Sequence, residues 1–171
     1  AGTSAVFEAA AGGGKIGQVV STTKTDTWSE SVASASYSNI VTGLTVAITP
    51  SDASSKILIF VNMTTTNNLG QPMGFGLWRD ATQIDLGDAS DSRMRLSKGK
   101  TNESGTAYVS MFSTNYLDSP SSDSELVYGV KTACASSLTR THYINRSSDD
   151  TDNAYSMGRG TSTITAMEVL A

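Results

Sequence analysis

The sequence predicts an all-β protein, an antiparallel β-sandwich of the jelly-roll type with roughly ten short strands. Serine (26 residues) and threonine (22) make up more than a quarter of the 171 residues, and there are 15 glycines. Threonine suits strands, whereas serine and glycine suit turns. Short apolar segments recur at near-regular spacing between polar turns, which is typical of a sandwich or barrel. The sequence has no long amphipathic segments rich in Leu, Glu, Lys and Ala.

The first fourteen residues differ in composition from the rest of the chain. Ala1–Gly14 is small and mostly apolar, and it ends in three consecutive glycines. Such a segment predicts a flexible N-terminal arm or linker rather than part of a packed domain. The remainder, Lys15–Ala171, is long enough for a single jelly-roll domain with a sizeable core.

The stretch from Gly43 to Asn62 is expected to be the centre of the fold. Leu44, Val46 and Ile48 alternate with smaller or polar residues, which is the pattern of a half-buried strand. Residues 57–61 are all apolar, so we expect both faces of the second strand to be covered. Pro50 and the polar residues 51–55 between them predict a turn.

Further strands are expected on both sides of this central pair. In the segment 74–79, Phe75 and Leu77 lie on one face and Trp78 on the other, and two glycines predict a neighbouring ring or backbone in close contact. For Trp78 we favour packing inside the protein over an exposed, sugar-stacking position. The other predicted strands are 16–21, one or two within 25–40, 83–86, 93–96, 107–114, 125–131, 139–145 and 161–170.

Charge and composition argue against several classes of function. The formal net charge is −4 and the pI is near 4.8, which argues against nucleic acid as the main partner. A small basic patch around Arg93, Arg95, Lys98 and Lys100 stays open. No run of about 18 apolar residues exists, so we expect no membrane insertion. A single cysteine, Cys134, allows no intrachain disulfide framework.

The sequence offers no convincing catalytic constellation, and we expect a protein that is not an enzyme and uses no cofactor. His142 is the only histidine and shares a strand face with Ile144; a structural or surface role is favoured over catalysis. Cys134 lies among small residues and is expected to be a buried apolar side chain rather than a reactive thiol. Carboxylate pairs for sugar hydrolysis stay open, because their separation depends on the fold.

Two acidic segments could in principle hold a hard cation such as calcium. Asp149, Asp150 and Asp152, beside Asn153, lack the glycine and distal glutamate of a helix–loop–helix calcium site. A solvated acidic turn is favoured over a metal site. The same interpretation is favoured for the other group, Asp85, Asp88 and Asp91.

Several phrases of the sequence, taken in order, resemble a family of tailed-bacteriophage virion proteins of the marine and cyanobacterial type, usually described as structural or tail-fibre proteins. The resemblance covers Lys15 to the C-terminus. The phrases are GQVVST at 17–22, GLTVAITP at 43–50, SSKIL at 54–58, LWRD at 77–80, YLDSP at 116–120, YINRS at 143–147 and GTSTITAME at 160–168. As a set they are specific, although each phrase alone is a weak signal.

The resemblance implies a trimeric jelly roll of the tumour-necrosis-factor and complement-head type, exposed on a virion that is assembled in the host cytoplasm. The resemblance implies no catalytic residues. The expected function is a fibre tip that binds a host surface polysaccharide or protein through loops 64–72, 87–104 and 147–157. The alternative is a capsid decoration or head-fibre protein that binds other virion proteins through Ala1–Gly14.

Overall fold

The computed structural model describes residues 15–100, 108–152 and 158–171, and all regular secondary structure in these ranges is β-strand. The twelve strands are β1 (Ile16–Lys24), β2 (Trp28–Val32), β3 (Ser36–Tyr37), β4 (Thr45–Ile48), β5 (Lys56–Asn67), β6 (Met73–Arg79), β7 (Thr82–Ile84), β8 (Lys98–Lys100), β9 (Ser110–Asp118), β10 (Leu126–Cys134), β11 (Arg140–Ile144) and β12 (Ser162–Val169). The expected arm, Ala1–Gly14, lies outside the described residues.

The first sheet is built on β5, its longest strand. One edge of β5 pairs with β9. The other edge pairs first with β12 and then with β11. β1 continues the sheet beyond β12, and β2 continues it beyond β11. All of these pairings are antiparallel.

The second sheet is built on β10 and β6, which pair with each other along most of their length. The outer edge of β10 pairs with β4 and β3. The outer edge of β6 pairs with β7 and β8. The chain crosses between the two sheets from β2 to β3, from β4 to β5, from β5 to β6, from β8 to β9, from β9 to β10 and from β10 to β11. The predicted all-β antiparallel sandwich is confirmed, with twelve strands among the described residues rather than roughly ten.

The central stretch has the predicted alternation, and its two strands lie on opposite sides of the sandwich. Leu44, Val46 and Ile48 are buried, as expected. However, β4 and β5 belong to opposite sheets and are not hydrogen-bonded neighbours. Pro50 ends the pairing of β4 because it lacks an N–H, and the turn at 51–55 then carries the chain across the sandwich. The two strands therefore supply residues to one core from its two sides.

The face pattern of β5 also differs from the prediction. Ile57, Ile59 and Val61 are fully buried in the core, whereas Leu58 and Phe60 point to the outer face of the first sheet and are half-exposed. The expectation that both faces of this strand are covered is therefore wrong for the single chain. Leu58 and Phe60 are therefore only partly covered by the described part of the chain.

Three predicted boundaries are corrected. Residues 64–67 are the end of β5 rather than a loop, because β11 pairs with them and Thr65, Thr66 and Asn67 are buried. The short strand lies at 98–100 rather than 93–96, and it pairs with the start of β6. Strand β9 begins at Ser110, later than predicted.

The two ends of the sandwich are different. At the terminus end, the Leu170 N–H donates to the Lys15 carbonyl over 2.8 Å, and Ile16 pairs with Val169. At the opposite end, which we call the turn end, the chain reverses at 33–35, 68–72 and 135–139. Strand β5 runs from one end to the other, so the two ends lie about 36 Å apart at about 3.3 Å per residue.

Candidate interaction surfaces

The turn end carries a cleft of about 410 Å³. Three separate segments form its walls: the β2–β3 turn at 34–35, residues 92–96 between β7 and β8, and the β10–β11 turn at 135–137. Its volume lies within the range of small-molecule sites. Among the described residues that line it, Arg93 is the one with a charge, and the rest are serine, alanine, Met94 and Leu96.

Hydrogen bonds hold the walls of this cleft in place. The Ser34 hydroxyl donates to the Ser136 carbonyl over 2.9 Å, which ties the β2–β3 turn to the β10–β11 turn. The Arg95 carbonyl accepts from the Tyr37 hydroxyl at 2.5 Å and from the Gln83 amide at 2.8 Å. The Arg95 Nε donates to the Gly87 carbonyl over 2.6 Å. The long β7–β8 loop is therefore anchored on the outer face of the second sheet.

An aromatic cluster on that outer face supports the anchor. The Trp78 ring makes an edge contact with Tyr37, with 4.7 Å between centroids. Lys131 places its ammonium 4.8 Å from the Trp78 centroid, a cation–π contact. The predicted burial of Trp78 is confirmed, since it is only 7% exposed, although it lies outside the core between the sheets. The expected close contact at Gly76 is also confirmed, because a Cβ there would lie 2.6 Å from the Trp78 ring.

The outer face of the first sheet carries a second candidate surface, which we call the apolar row. Val19 lies opposite Met167, Met167 opposite Leu58, and Leu58 opposite Leu117, so four apolar side chains cross four adjacent strands. Val19 is 54% exposed and Leu117 46%. Contiguous exposed apolar residues of this kind mark interaction sites on soluble proteins.

Buried ionisable groups are concentrated in structural contacts. The Glu168 carboxylate accepts from the Ser51 N–H and hydroxyl, both at 2.6 Å, and from Gln18 at 2.9 Å. The Ser51 hydrogen bonds chiefly lower the pKa of Glu168, to about 2. Asp118 accepts from Arg79 and from the Tyr128 hydroxyl, each at 2.7 Å. Burial, followed by this hydrogen bond, raises the pKa of Tyr128 well above its usual range.

His142 and Cys134 have the structural positions that the sequence favours. His142 is fully buried, and its Nδ1 lies 2.8 Å from the Thr132 hydroxyl. Burial lowers the pKa of His142 to about 4, so the imidazole is neutral at pH 7. No carboxylate contacts the ring among the described residues. Cys134 is also buried, and its thiol donates to the Leu138 carbonyl.

The acidic segments act mainly through local contacts. Asp150 accepts from Arg146 at 2.7 Å and from Arg159 at 2.9 Å, and Asp149 accepts from the Ser147 hydroxyl. Asn153 lies outside the described residues. Asp85 accepts from Thr114. Within residues 15–100, 108–152 and 158–171, no group of three or more His, Cys, Asp or Glu residues is arranged to hold a metal ion.

The predicted binding loops are only partly brought together. Residues 68–72 lie at the turn end, where Asn68 exchanges hydrogen bonds with Thr141. Residues 92–96 form one wall of the cleft. The described part of the third loop, 147–152, belongs instead to the connection between β11 and β12, which pair with successive parts of the same side of β5. Residues 101–107 and 153–157 lie outside the description.

Sequence reasoning missed the other two walls of the cleft. The segments 33–35 and 135–137 contain only alanine and serine, which indicates turns but not their meeting in space. Of the open basic patch, Arg93 lines the cleft, whereas the Nε and carbonyl of Arg95 are used in the loop anchor. Lys98 is exposed on the adjoining strand β8.

Comparison with known proteins does not assign the chain to a family. No protein-family model matches the chain, and no curated protein matches it. The described ranges contain no helix with the length and hydropathy needed to cross a membrane.

Proposed function

We propose that this chain is a non-enzymatic structural protein of a tailed-bacteriophage virion, and that its β-sandwich is the host-binding domain at the tip of a fibre. The observation that carries the proposal is the opposition of the two ends. Ala1–Gly14 joins the domain at the terminus end, next to the Lys15–Leu170 hydrogen bond. The anchored cleft lies at the turn end, about 36 Å away. A fibre tip needs this separation between its attachment and its binding surface.

Self-association into a homotrimer is the second part of the proposal. In a single chain, Val19 and Leu117 at the two ends of the apolar row are exposed, and Leu58 and Met167 between them are half-buried. The continuous apolar pattern of 57–61 suits a strand that is covered on both faces, and a second copy of this chain would supply the missing cover. Three copies would present three equivalent clefts to one cell surface, so weak binding at each cleft would add up to strong attachment.

A role without catalysis is consistent with the use of the buried ionisable groups. Glu168, Asp118 and His142 each serve packing or hydrogen bonding within the domain. The acidic chain, with a net charge of −4, favours a cell-surface ligand over nucleic acid as partner.

The second candidate function is a capsid decoration or head-fibre protein. The composition of Ala1–Gly14, apolar residues followed by three glycines, favours it, because such a segment suits docking onto a shell protein through a hinge. Removal of residues 1–14 should abolish virion attachment under both proposals. Only a decoration protein should then rebind purified empty capsids when the intact chain is added back.

Antibody–gold labelling of intact virions, viewed by electron microscopy, tests the proposal. We expect label at the tail or fibre tips. Label over the head instead would replace the fibre-tip function with capsid decoration. If antibody raised against the folded chain labelled no part of the particle, both proposals would be wrong.

A further inference from the structure

The cleft at the turn end has one cationic side chain, Arg93, that the described part of the chain leaves unpaired. Arg93 lines the cleft and is exposed. Among the described residues, its guanidinium has no hydrogen-bond acceptor and no ion-pair partner; the Arg93 backbone N–H alone is bonded, to the Ser90 carbonyl. Asp88 and Asp91 belong to the same loop but do not line the cleft. A free guanidinium fork fits a carboxylate in a bidentate arrangement.

The rest of the lining suits a polyhydroxylated ligand rather than a flat apolar one. The hydroxyls of Ser92 and Ser137 have no partner among the described residues, so both are available as donors and acceptors. Met94 and Leu96 are half-buried and provide an apolar surface beside these groups. A sugar ring presents both kinds of surface, since hydroxyls surround its apolar C–H faces.

The walls are set before any ligand binds. Leu96 packs so closely over Gly74 that a Cβ on that glycine would lie 2.6 Å from it. Together with the Arg95 carbonyl contacts and the Ser34–Ser136 bond, this fixes residues 92–96 relative to the other two turns. A fixed cleft loses little entropy on binding, which favours recognition of a small ligand.

We infer that the cleft binds a uronic acid residue of an acidic saccharide, with the Arg93 guanidinium on the carboxylate and the Ser92 and Ser137 hydroxyls on the ring. This inference rests on the proposed host-binding function and names the ligand class that the binding end recognises. Per-subunit affinity is weak, with a dissociation constant on the order of 1 mM, because the cleft is open and contacts about one sugar unit.

The test is a titration of the full ¹⁵N-labelled chain with digalacturonate, followed by NMR. We expect shifts at the amides of Ser34, Arg93 and Ser137. The methyl ester of digalacturonate removes the charge but keeps the rings, and acetate keeps the carboxylate without a ring. Both compounds should bind at least about tenfold more weakly than digalacturonate, since the ester lacks the charged carboxylate and acetate lacks the sugar ring.

Variants locate the charge contact. Arg93→Ala should weaken digalacturonate binding at least about tenfold, and Arg93→Lys should lie between it and the wild type, because lysine keeps the charge but not the fork. Arg159→Ala removes the same charge from a partly exposed arginine in another loop and should bind like the wild type. Arg93 is exposed, so its replacement leaves the core intact.

Several results would overturn the inference: no shifts in the cleft, equal binding of acetate, wild-type binding by Arg93→Ala, or equal losses for Arg93→Ala and Arg159→Ala. The failure of the cleft and the failure of the fibre function are distinguishable. Gold label at fibre tips with no digalacturonate binding rejects only the saccharide site. Digalacturonate binding with label over the head keeps the site and rejects the fibre-tip function.

Discussion

The fold buries the His142 imidazole but gives a hydrogen-bond partner to only one of its two ring nitrogens among the described residues. Its Nδ1 has Thr132 as a partner, but its Nε2 is buried with no partner among the described residues. Burial therefore disfavours the charged form and lowers the pKa from 6.5 to about 4. Because the unfolded chain binds this proton more readily, the folded state loses stability as pH falls from about 6.5 to about 4, and none of this loss occurs above that window.

We predict that acidification from pH 7.5 to pH 4 removes about 3 kcal/mol of unfolding free energy through His142 alone. The measurement is urea denaturation of the wild type and of His142→Gln, followed by tryptophan fluorescence. The variant has no titrating ring, so it should lose less stability than the wild type over the same pH range. Equal losses in the two proteins would contradict the assignment of this pH dependence to His142.

Glu168 is charged at pH 7, whereas His142 is neutral, and Glu168 titrates over a lower pH range. Its hydrogen bonds to Ser51 and Gln18 lower the pKa from 4.5 to about 2, so its contribution is present above about pH 4.5 and is lost as pH falls toward 2. The pH range over which His142 titrates, from about 6.5 to about 4, overlaps only slightly with that of Glu168, from about 4.5 to about 2. The comparison between the wild type and His142→Gln therefore isolates the histidine, since both proteins keep Glu168.

Strand β6 depends on a glycine for the cluster on its outer face. A Cβ at Gly76 would lie 2.6 Å from the Trp78 ring and 2.7 Å from the Gln83 amide nitrogen. Both side chains make structural contacts from these positions, because Trp78 packs against Tyr37 and Gln83 donates to the Arg95 carbonyl. A methyl group at position 76 would displace Trp78 and Gln83, and the contacts that hold the β7–β8 loop would be lost with them.

We predict that Gly76→Ala destabilises the protein by about 1–3 kcal/mol and loosens residues 92–96. Thermal unfolding should show a lower midpoint, and trypsin should cleave after Arg93 and Arg95 faster than in the wild type. Gly158→Ala is the matched control, because nothing lies within 4 Å of a Cβ at that position. Unchanged cleavage in Gly76→Ala would contradict the coupling between the aromatic cluster and the loop.

The elements that the sequence predicted well are those in which side-chain alternation decides burial. The strands around Leu44–Ile48 and Phe75–Leu77 have their predicted inward faces because apolar residues at every second position must share one side. Residues 64–67 were predicted as a loop because threonine and asparagine are polar. Their burial depends on partners that are distant in sequence, such as the Tyr143 carbonyl, which accepts from the Thr65 hydroxyl, and His142, which lies opposite Asn67 on β11.

The cleft could not be predicted from local patterns, since its three walls come from positions about 40 to 100 residues apart. Alanine and serine at 34–35 and 135–137 indicate turns, but only the sheet order brings them to one end. The apolar row has a similar origin. Each of its residues looks like an ordinary strand residue, and the register of β1, β12, β5 and β9 places them side by side.

At the scale of the whole molecule, the apolar row is the surface that association should cover. The outer face of the second sheet already has a cover of its own, the anchored loop and the Trp78 cluster. On the outer face of the first sheet, Val19 and Leu117 of the apolar row are exposed. Burial of apolar area stabilises contacts by about 25 cal/mol per Å², so a charge placed in the row should oppose association without disturbing the core.

We predict that Leu117→Asp converts a homotrimer into a monomer, whereas Val127→Asp does not. The two residues are similarly exposed, at 46% and 39%, but Val127 lies on the outer face of the second sheet. Light scattering coupled to size exclusion should give three times the chain mass of 17.9 kDa for the wild type and for Val127→Asp, and one chain mass for Leu117→Asp. A wild-type mass of one chain would reject the trimer. A trimeric Leu117→Asp would show that the subunit interface does not include the apolar row. An aspartate carboxylate buried in that row without a partner costs more free energy than the lost leucine contact contributes, so the variant could not associate through it.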